Sequence, residues 1–199
     1  MTNYPSVDRL ADLQLMIAEL AKVQRRVTHA DRKEFENDVE HSYGLAMTCW
    51  FLQPKIAPEL ELLEVFKFAL AHDIVEIHAG DAYFLEKEAF EMKDEKERIA
   101  IKQLRKDWPD FAEPINYAEK YMDKDSPESR FVKAVDKLLP VLMLGIGEGF
   151  EVHYKRNGLT LDALKDNKKT IHISKEVSPY YDAIFAWLER TELQRQAMA

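Results

Sequence analysis

The chain has 199 residues, of which 46% are hydrophobic and 32% are charged, a composition typical of a folded globular protein rather than a disordered one. Its 36 acidic residues outnumber its 28 Lys and Arg residues and leave a net charge of −8. This charge excludes polymeric nucleic acid as the main partner and disfavours an anionic membrane surface. A chain of this length can bury one sizeable core, so we expect a single domain over residues 1–199.

Cysteine content and hydropathy indicate the compartment. The only cysteine, Cys49, lies in an apolar run, so it has no intrachain disulfide partner and is expected to be a buried side chain. The N-terminus has no basic region followed by an apolar stretch. No apolar run reaches the ~20 residues that a membrane helix needs. We therefore expect a cytoplasmic protein without a membrane span.

The first third of the chain predicts helices separated by one polar loop. Apolar residues at spacings of three and four predict a helix over residues 7–27, with Ser6 as its N-cap. The polar residues 28–36 predict a loop. A second helix is expected over about residues 37–53, ending before Pro54. A third is expected to start near Pro58.

The remaining chain also predicts helices, at residues 94–106, 111–122, 125–144 and 178–194. The third of these begins at a Ser-Pro-Glu sequence that combines a cap, a first-turn proline and an acidic residue. Gly145, Gly147 and Gly149 indicate a turn after it. Because alternating strand-like patterns are scarce, the expected fold class is all-α.

The most unusual stretch is residues 69–81, where histidines and acids interrupt an apolar helical region. Burying such groups is costly unless they are paired or bind a metal. Glu76 lies four residues after His72 and three after Asp73, so these side chains share one helix face. Asp81 follows Gly80, a helix stop signal, and can fold back over them. His78 is expected to project elsewhere.

Two distant residues have the same character. His41 starts an apolar helix, and Asp136 lies inside another. With the pair His72-Asp73 they resemble the motif of the HD-domain metal-dependent phosphohydrolases. The closer resemblance is to HD-family 5′-nucleotidases acting on deoxynucleoside monophosphates. Their Glu-His-Ser matches residues 40–42, their His-Asp-x-x-Glu-x-x-x-Gly-Asp matches residues 72–81, and the whole match spans about residues 10–145 of an all-helical fold.

The resemblance implies a metal site and a catalytic pair. The ligands of one divalent ion would be His41, His72, Asp73 and Asp136. Such a set suits Mn, Co, Fe, Ni or Zn without choosing among them. Glu76 resembles the acid near the attacking water. Asp81 resembles a second acid, either a proton donor to the leaving oxygen or a substrate contact, and the sequence does not separate these two catalytic roles.

The resemblance also implies residues that bind the substrate. The family has a phosphate-binding arginine late in its first helix, which would be Arg25 or Arg26, and the pattern favours Arg25. Deoxy-selective members have a tryptophan next to that arginine, where Arg26 stands here. Lys133 and Lys137 flank Asp136, and the resemblance favours Lys137 as a substrate contact.

We therefore expect a metal-dependent phosphomonoesterase acting on a small phosphorylated metabolite, a nucleoside 5′-monophosphate. One alternative is a phosphodiesterase or alarmone hydrolase with the same metal site. Another is a non-catalytic module that binds metal and nucleotide, although such a module has no need of Glu76 and Asp81. The resemblance also implies a homodimer, for which the aromatic C-terminal helix offers a face.

Overall fold

A computed structural model of the chain describes residues 4–29, 34–147 and 150–198. This part of the chain is mainly helical, which confirms the predicted all-α class. Its helices, in chain order, are α1 (Val7–Leu20), α2 (Asp38–Ile56), α3 (Leu62–Ala71), α4 (Glu76–Ala79), α5 (Lys87–Glu91), α6 (Lys93–Asp107), α7 (Ala112–Asp123), α8 (Pro127–Ile146), α9 (Phe150–Asn157), α10 (Leu161–Lys168) and α11 (Tyr180–Met198). A short 3₁₀ helix covers Lys169–Ile173.

A small antiparallel ribbon near the N-terminus was not expected from the sequence. Strand β1 (Gln24–Thr28) pairs with β2 (Phe35–Asn37), so the predicted helix over residues 7–27 is wrong beyond its first two thirds. The loop was predicted over residues 28–36. Of these, residues 29 and 34 lie outside the two strands, and residues 30–33 lie outside the described part of the chain. The helix prediction failed at residues 24–27 because β1 is stabilised by pairing with β2, which lies beyond the loop. The apolar periodicity of residues 7–27 contains no information about that partner.

The junction between α2 and α3 also departs from the prediction. Helix α2 continues through Pro54, and α3 begins at Leu62 rather than near Pro58. Pro54 lies in the last turn of α2, where its missing N–H removes a single helical hydrogen bond. The Gln53 side chain then holds the turn, because its Nε2 donates to the carbonyl oxygens of Ala57 at 3.0 Å and Leu60 at 2.8 Å.

The later helices follow the predictions more closely. Helices α6, α7, α8 and α11 each lie within a few residues of the expected ranges. The Ser126 side chain accepts from the backbone N–H of Ser129 and caps α8. Gly145 lies inside α8 rather than in the expected turn, Gly147 ends the helix, and Gly149 lies outside the described residues. Gly80 ends α4 with a φ of 71°, as a helix stop should.

The apolar core lies around α8. Phe131 and Val135 of α8 are fully buried, and they belong to the same cluster as Leu45 of α2 and Leu188 of α11. Trp187 of α11 also packs against this cluster. A smaller apolar cluster joins α4, α6 and α7. None of the described helices is both long and apolar enough to cross a lipid bilayer.

Candidate functional site

Two buried histidines face each other between α2 and α3. His41 lies in the first turn of α2 and His72 directly follows α3, and their ring centroids are 5.4 Å apart. His72 Nδ1 donates to the carbonyl oxygen of Ala69 at 2.9 Å, a bond that assigns the lone pair to Nε2. This buried Nε2 has no hydrogen-bond partner among the described residues. It is therefore a nitrogen atom free to bind a cation.

Two aspartates bring carboxylate oxygens to these rings. Asp73 Oδ2 lies 2.9 Å from His72 Nε2, and Asp136 Oδ1 lies 3.1 Å from His41 Nε2. Ligand atoms of His41, His72 and Asp73 all fall within 4.8 Å of one another. The four side chains that the sequence singled out thus meet in one place. Two imidazoles and two carboxylates form a donor set that fits a divalent transition metal.

Hydrogen bonds from further out orient these side chains. Glu36 Oε1 accepts from His41 Nδ1 at 3.2 Å, and Tyr121 donates its hydroxyl to Asp136 Oδ2 at 3.0 Å. Burial and Arg25 lower the pKa of His41, but its bonds to Asp136 and Glu36 raise that pKa overall. Such contacts are typical of metal-binding histidines and carboxylates. Sequence reasoning missed Glu36 and Tyr121, since only the tertiary fold brings them to the site.

Strand β1 separates the two candidate arginines. Successive side chains of a strand point to opposite sides, and here Arg25 is largely buried while Arg26 is half exposed. Arg25 Nη1 donates to Asp73 Oδ2 at 2.7 Å and to Asp38 Oδ1 at 3.3 Å. Arg26 Nη2 donates to Glu86 Oε1 at 3.3 Å. Arg25 therefore joins the buried carboxylates, and Arg26 makes a separate ion pair nearer the surface.

Glu76 and Asp38 are buried acids that resist ionisation. Glu76 Oε1 accepts from Lys93 Nζ at 3.0 Å, while its buried Oε2 has no hydrogen-bond partner among the described residues. Burial and then Asp73 raise the pKa of Glu76 well above its ordinary value, against the opposing charge of Lys93. Burial and then Asp73 also raise the pKa of Asp38 to about 7, although Arg25 opposes this. The sequence pointed to Glu76 but not to Asp38.

Asp73 and Asp136 are also buried, yet they favour ionisation. Burial acts to raise the pKa of Asp73, but His72 and Arg25 hold it well below its ordinary value. Burial acts in the same direction on Asp136, and Lys137 and His41 hold its pKa well below its ordinary value. The site thus combines acids of opposite protonation preference. This division is typical of sites that move protons.

A cavity of about 310 Å³ lies beside these residues. Its walls include His72, Asp136 and Glu76, together with the candidates Asp81 and Lys137. Lys137 Nζ lies 3.1 Å from Asp136 Oδ2, so a cation stands next to the ligand set. The volume suits a small molecule rather than a polymer.

His78 and Cys49, which the sequence predicted to lie outside the site, do lie outside it. His78 Nε2 lies 3.4 Å from Oδ2 of Asp107, the last residue of α6. Cys49 is fully buried in the apolar core, as predicted. Burial raises the pKa of its thiol well above the ordinary value, so the reactive thiolate is disfavoured.

Two comparisons found known proteins to which this chain is similar. A family model described as HD domain matches residues 17–177. A crystal structure from Magnetospirillum magnetotacticum MS-1, described as a predicted metal-dependent phosphohydrolase, is 28% identical to the chain. The alignment covers 92% of this chain and 97% of that one, with a TM-score of 0.75. No curated protein matches the chain.

Proposed function

This chain belongs to the HD domain family, and on that premise we propose that it is a metal-dependent phosphohydrolase that removes phosphate from nucleoside 5′-monophosphates. The observation that carries the proposal is the unpartnered Nε2 of His72, which lies 2.9 Å from an Asp73 oxygen at the wall of a cavity. A buried nitrogen lone pair beside a carboxylate is stabilised by a cation between the two atoms, and a divalent metal ion bound to both supports the proposal.

In this proposal His41, His72, Asp73 and Asp136 hold one divalent ion, with Mn, Co, Fe, Ni and Zn as the candidates. When bound, such an ion polarises the phosphoryl oxygens and lowers the pKa of a water molecule. The low pKa values of Asp73 and Asp136 keep both carboxylates available as ligands at neutral pH.

Cationic side chains bind the phosphate group. Arg25 presents its guanidinium from β1 beside Asp73, and a guanidinium forms two parallel hydrogen bonds to a phosphate. Lys137 reaches the same cavity next to Asp136. These charges attract a small anion locally, although the chain as a whole carries a net charge of −8.

Two acids move the protons. Glu76 acts as a base in its ionised form, which Lys93 favours, and its raised pKa makes that form a stronger base. Its Oε2, unpartnered among the described residues, then accepts a proton from the water that attacks phosphorus. Lys93 holds the other oxygen of Glu76 and so orients the carboxylate. Asp81, at the cavity wall, donates a proton to the 5′-oxygen as the phosphorus–oxygen bond breaks. The products are a nucleoside and inorganic phosphate.

The proposal includes the organisation of the protein. We take residues 1–199 as one HD-type domain that acts in the cytoplasm as a homodimer, as the resemblance implies. The family match over residues 17–177 and the packing of α11 on α8 support one domain. Light scattering on the purified protein measures the oligomeric state directly.

A hydrolysis screen tests the activity. The protein is loaded with each candidate metal, its metal content is measured, and phosphate release is followed on ribo- and deoxyribonucleoside monophosphates. Phosphate release from at least one nucleotide is expected. No release by a protein shown to contain stoichiometric metal overturns the proposal.

Two arginine variants sharpen this screen. Arg25→Lys keeps the charge beside Asp73 but loses the planar fork, so KM for the nucleotide should rise ~10-fold or more, the equivalent of one charge-assisted hydrogen bond. Arg26→Lys is the matched control and should change KM far less, because Arg26 pairs with Glu86 away from the carboxylates. Equal effects of the two substitutions contradict the assignment of phosphate to Arg25.

A further inference from the structure

The cavity contains a buried lysine that the proposed reaction does not use. Lys168, the last residue of α10, is 5% exposed and lines the same cavity as His72 and Asp136. Within the described part of the chain its ammonium group has no hydrogen bond and no ion pair, and it lies 5.9 Å from the centre of the Phe84 ring. The side chain is buried, but the ammonium nitrogen is not fully enclosed and so meets the cavity. A cation that is largely removed from water and has no carboxylate partner is costly. Its position at a polar cavity therefore points to an anion.

Two further lysines line this cavity from α8. Lys133 and Lys137 are four residues apart and so project from the same helix face. Their Nζ atoms lie 3.8 Å and 3.1 Å from the same oxygen of Asp136. Two ammonium groups thus share one carboxylate, which is itself assigned to the metal ion in the proposed function.

The lysines are close enough to affect one another. Burial and then Lys137 lower the pKa of Lys168 to about 7, Arg25 and Lys133 act in the same direction, and Asp136 opposes them. Burial is the first cause and the neighbouring cations add to it, so an anion beside Lys168 would favour the charged form of its side chain. A bound anion would relieve the repulsion.

The other cations near the site already have carboxylate partners. Arg25 donates to Asp73 and Asp38, and Lys93 lies 3.0 Å from Glu76 and 2.6 Å from Glu97. Lys168 has no carboxylate partner among the described residues, and Lys133 shares Asp136 with Lys137, so Lys168 and Lys133 are the surplus. A phosphate monoester carries at most two negative charges, and in the proposed reaction the metal ion, Arg25 and Lys137 already meet them.

We propose that Lys168 and Lys133 form a second anion-binding subsite next to Lys137, and that it takes a second phosphate group of the substrate. The proposal rests on the proposed function and extends its substrate class from nucleoside monophosphates to nucleotides with two phosphate groups. The second group is either joined to the first in a nucleoside diphosphate or attached to another sugar hydroxyl in a nucleoside 3′,5′-bisphosphate. A cavity of about 310 Å³ has the size of a small-ligand site.

Substrate comparison tests the subsite. The metal-loaded protein should show kcat/KM at least ~10-fold higher on the diphosphate or on the 3′,5′-bisphosphate than on the monophosphate, the gain expected from one charge-assisted contact. Which of the two substrates is favoured identifies the position of the second phosphate. Equal kcat/KM on all three substrates overturns the proposal.

Lys168→Met removes the charge but keeps a long side chain that suits a buried position. In this variant the preference for two phosphate groups should fall by ~10-fold or more. Lys165→Met is the matched control, because Lys165 lies on the same helix but pairs with Glu189 at 3.0 Å outside the cavity. An equal loss on all three substrates in Lys168→Met shows that Lys168 serves the reacting phosphate and contradicts the second subsite.

A binding measurement separates failure of the subsite from failure of the proposed function. Calorimetry with inorganic pyrophosphate and with inorganic phosphate, in excess metal, requires no turnover. Pyrophosphate should bind the Lys165→Met protein at least ~10-fold more tightly than the Lys168→Met protein. If this difference appears without any hydrolysis, the subsite stands and the proposed function fails. If monophosphates are hydrolysed but the two variants bind pyrophosphate equally, the function stands and the subsite fails.

Discussion

The two sides of α8 differ in what they contribute. On one side Phe131, Val135 and Leu138 are buried in the apolar core with residues of α2 and α11. On the other side Asp136 is buried and Lys133 is partly buried, with charged neighbours at the cavity wall. Burial of each large apolar side chain stabilises the fold by ~1.5–3 kcal/mol, whereas a buried charge costs stability unless it is paired. One helix therefore joins a stabilising face to a reactive one.

Helix α2 makes the same two contributions, but along its length rather than on opposite sides. His41 faces Asp136 and Glu36, while Leu45, one turn further on the same face, is fully buried in the apolar core. The apolar turn thus holds the backbone to which the site histidine is attached. Substitutions on the reactive side should change metal binding or turnover, and substitutions on the core side should change the free energy of unfolding.

The largest effect is expected for His72→Asn. Asparagine can keep the hydrogen bond to the Ala69 carbonyl oxygen that His72 Nδ1 makes, but it removes Nε2. Loss of an outer contact costs ~10–100-fold in metal affinity, so loss of a direct ligand should exceed ~100-fold and abolish phosphate release. Metal titration and elemental analysis measure this. Melting of the EDTA-treated protein is the control and should change little; stoichiometric metal in the variant would contradict the ligand assignment.

A smaller effect on turnover, without loss of metal, is expected for Glu76→Gln. The variant keeps the size of the side chain but has no carboxylate to accept a proton, so kcat should fall by ~10²–10⁴-fold. Single-site metal binding should persist, because Glu76 is not among the proposed ligands. Retained kcat would exclude Glu76 as the base.

Stability gives a second test of the same variant. Because the pKa of Glu76 is raised in the folded protein, the unfolded chain releases this proton at a lower pH than the folded protein does. The folded protein therefore loses stability as the pH rises above the ordinary pKa of a glutamate. Glutamine carries no such cost, and Lys93 retains Glu97 as a partner. The melting temperature of metal-free Glu76→Gln at pH 7 should therefore equal or exceed that of the wild type. A lower melting temperature would show that the ionised Glu76–Lys93 pair stabilises the fold.

A smaller effect, on stability alone, is expected on the core side of α8, for Gly145→Ala. A Cβ added at Gly145 would overlap the ring of Trp187 on α11. Such overpacking should destabilise the protein by ~1–3 kcal/mol, measured by urea denaturation. Metal affinity of the folded protein should stay unchanged, because the overlap lies between α8 and α11.

Gly44→Ala is the matched control for this prediction. A Cβ at Gly44, inside α2, meets no atom within 4 Å. Alanine should therefore stabilise the helix by ~0.5–1 kcal/mol, because glycine loses more conformational freedom on folding. If both variants change the stability in the same direction, Trp187 is not the reason for the glycine at position 145.

The sequence alone predicted the parts of the site that depend on local spacing. His72, Asp73 and Glu76 lie within five consecutive residues, so helical geometry is enough to group them. Most of the longer helices were also predictable, because their apolar residues recur with the helical period. His41 and Asp136 could be added through the family resemblance, and the structure brings both to the cluster.

Only the tertiary structure separated Arg25 from Arg26, because β1 pairs with β2 and the alternation of a strand turns one arginine inward. Glu36, Asp38, Tyr121 and Lys168 likewise reach the site through packing between elements that are distant along the chain. The sequence by itself determined the helical class, which follows from residue type and local period. The proposed donor set needed the family resemblance as well, because His41 and Asp136 are distant from His72 and Asp73 along the chain. The fold decided which charges face one another, because burial and charge pairing depend on neighbours that local sequence does not contain.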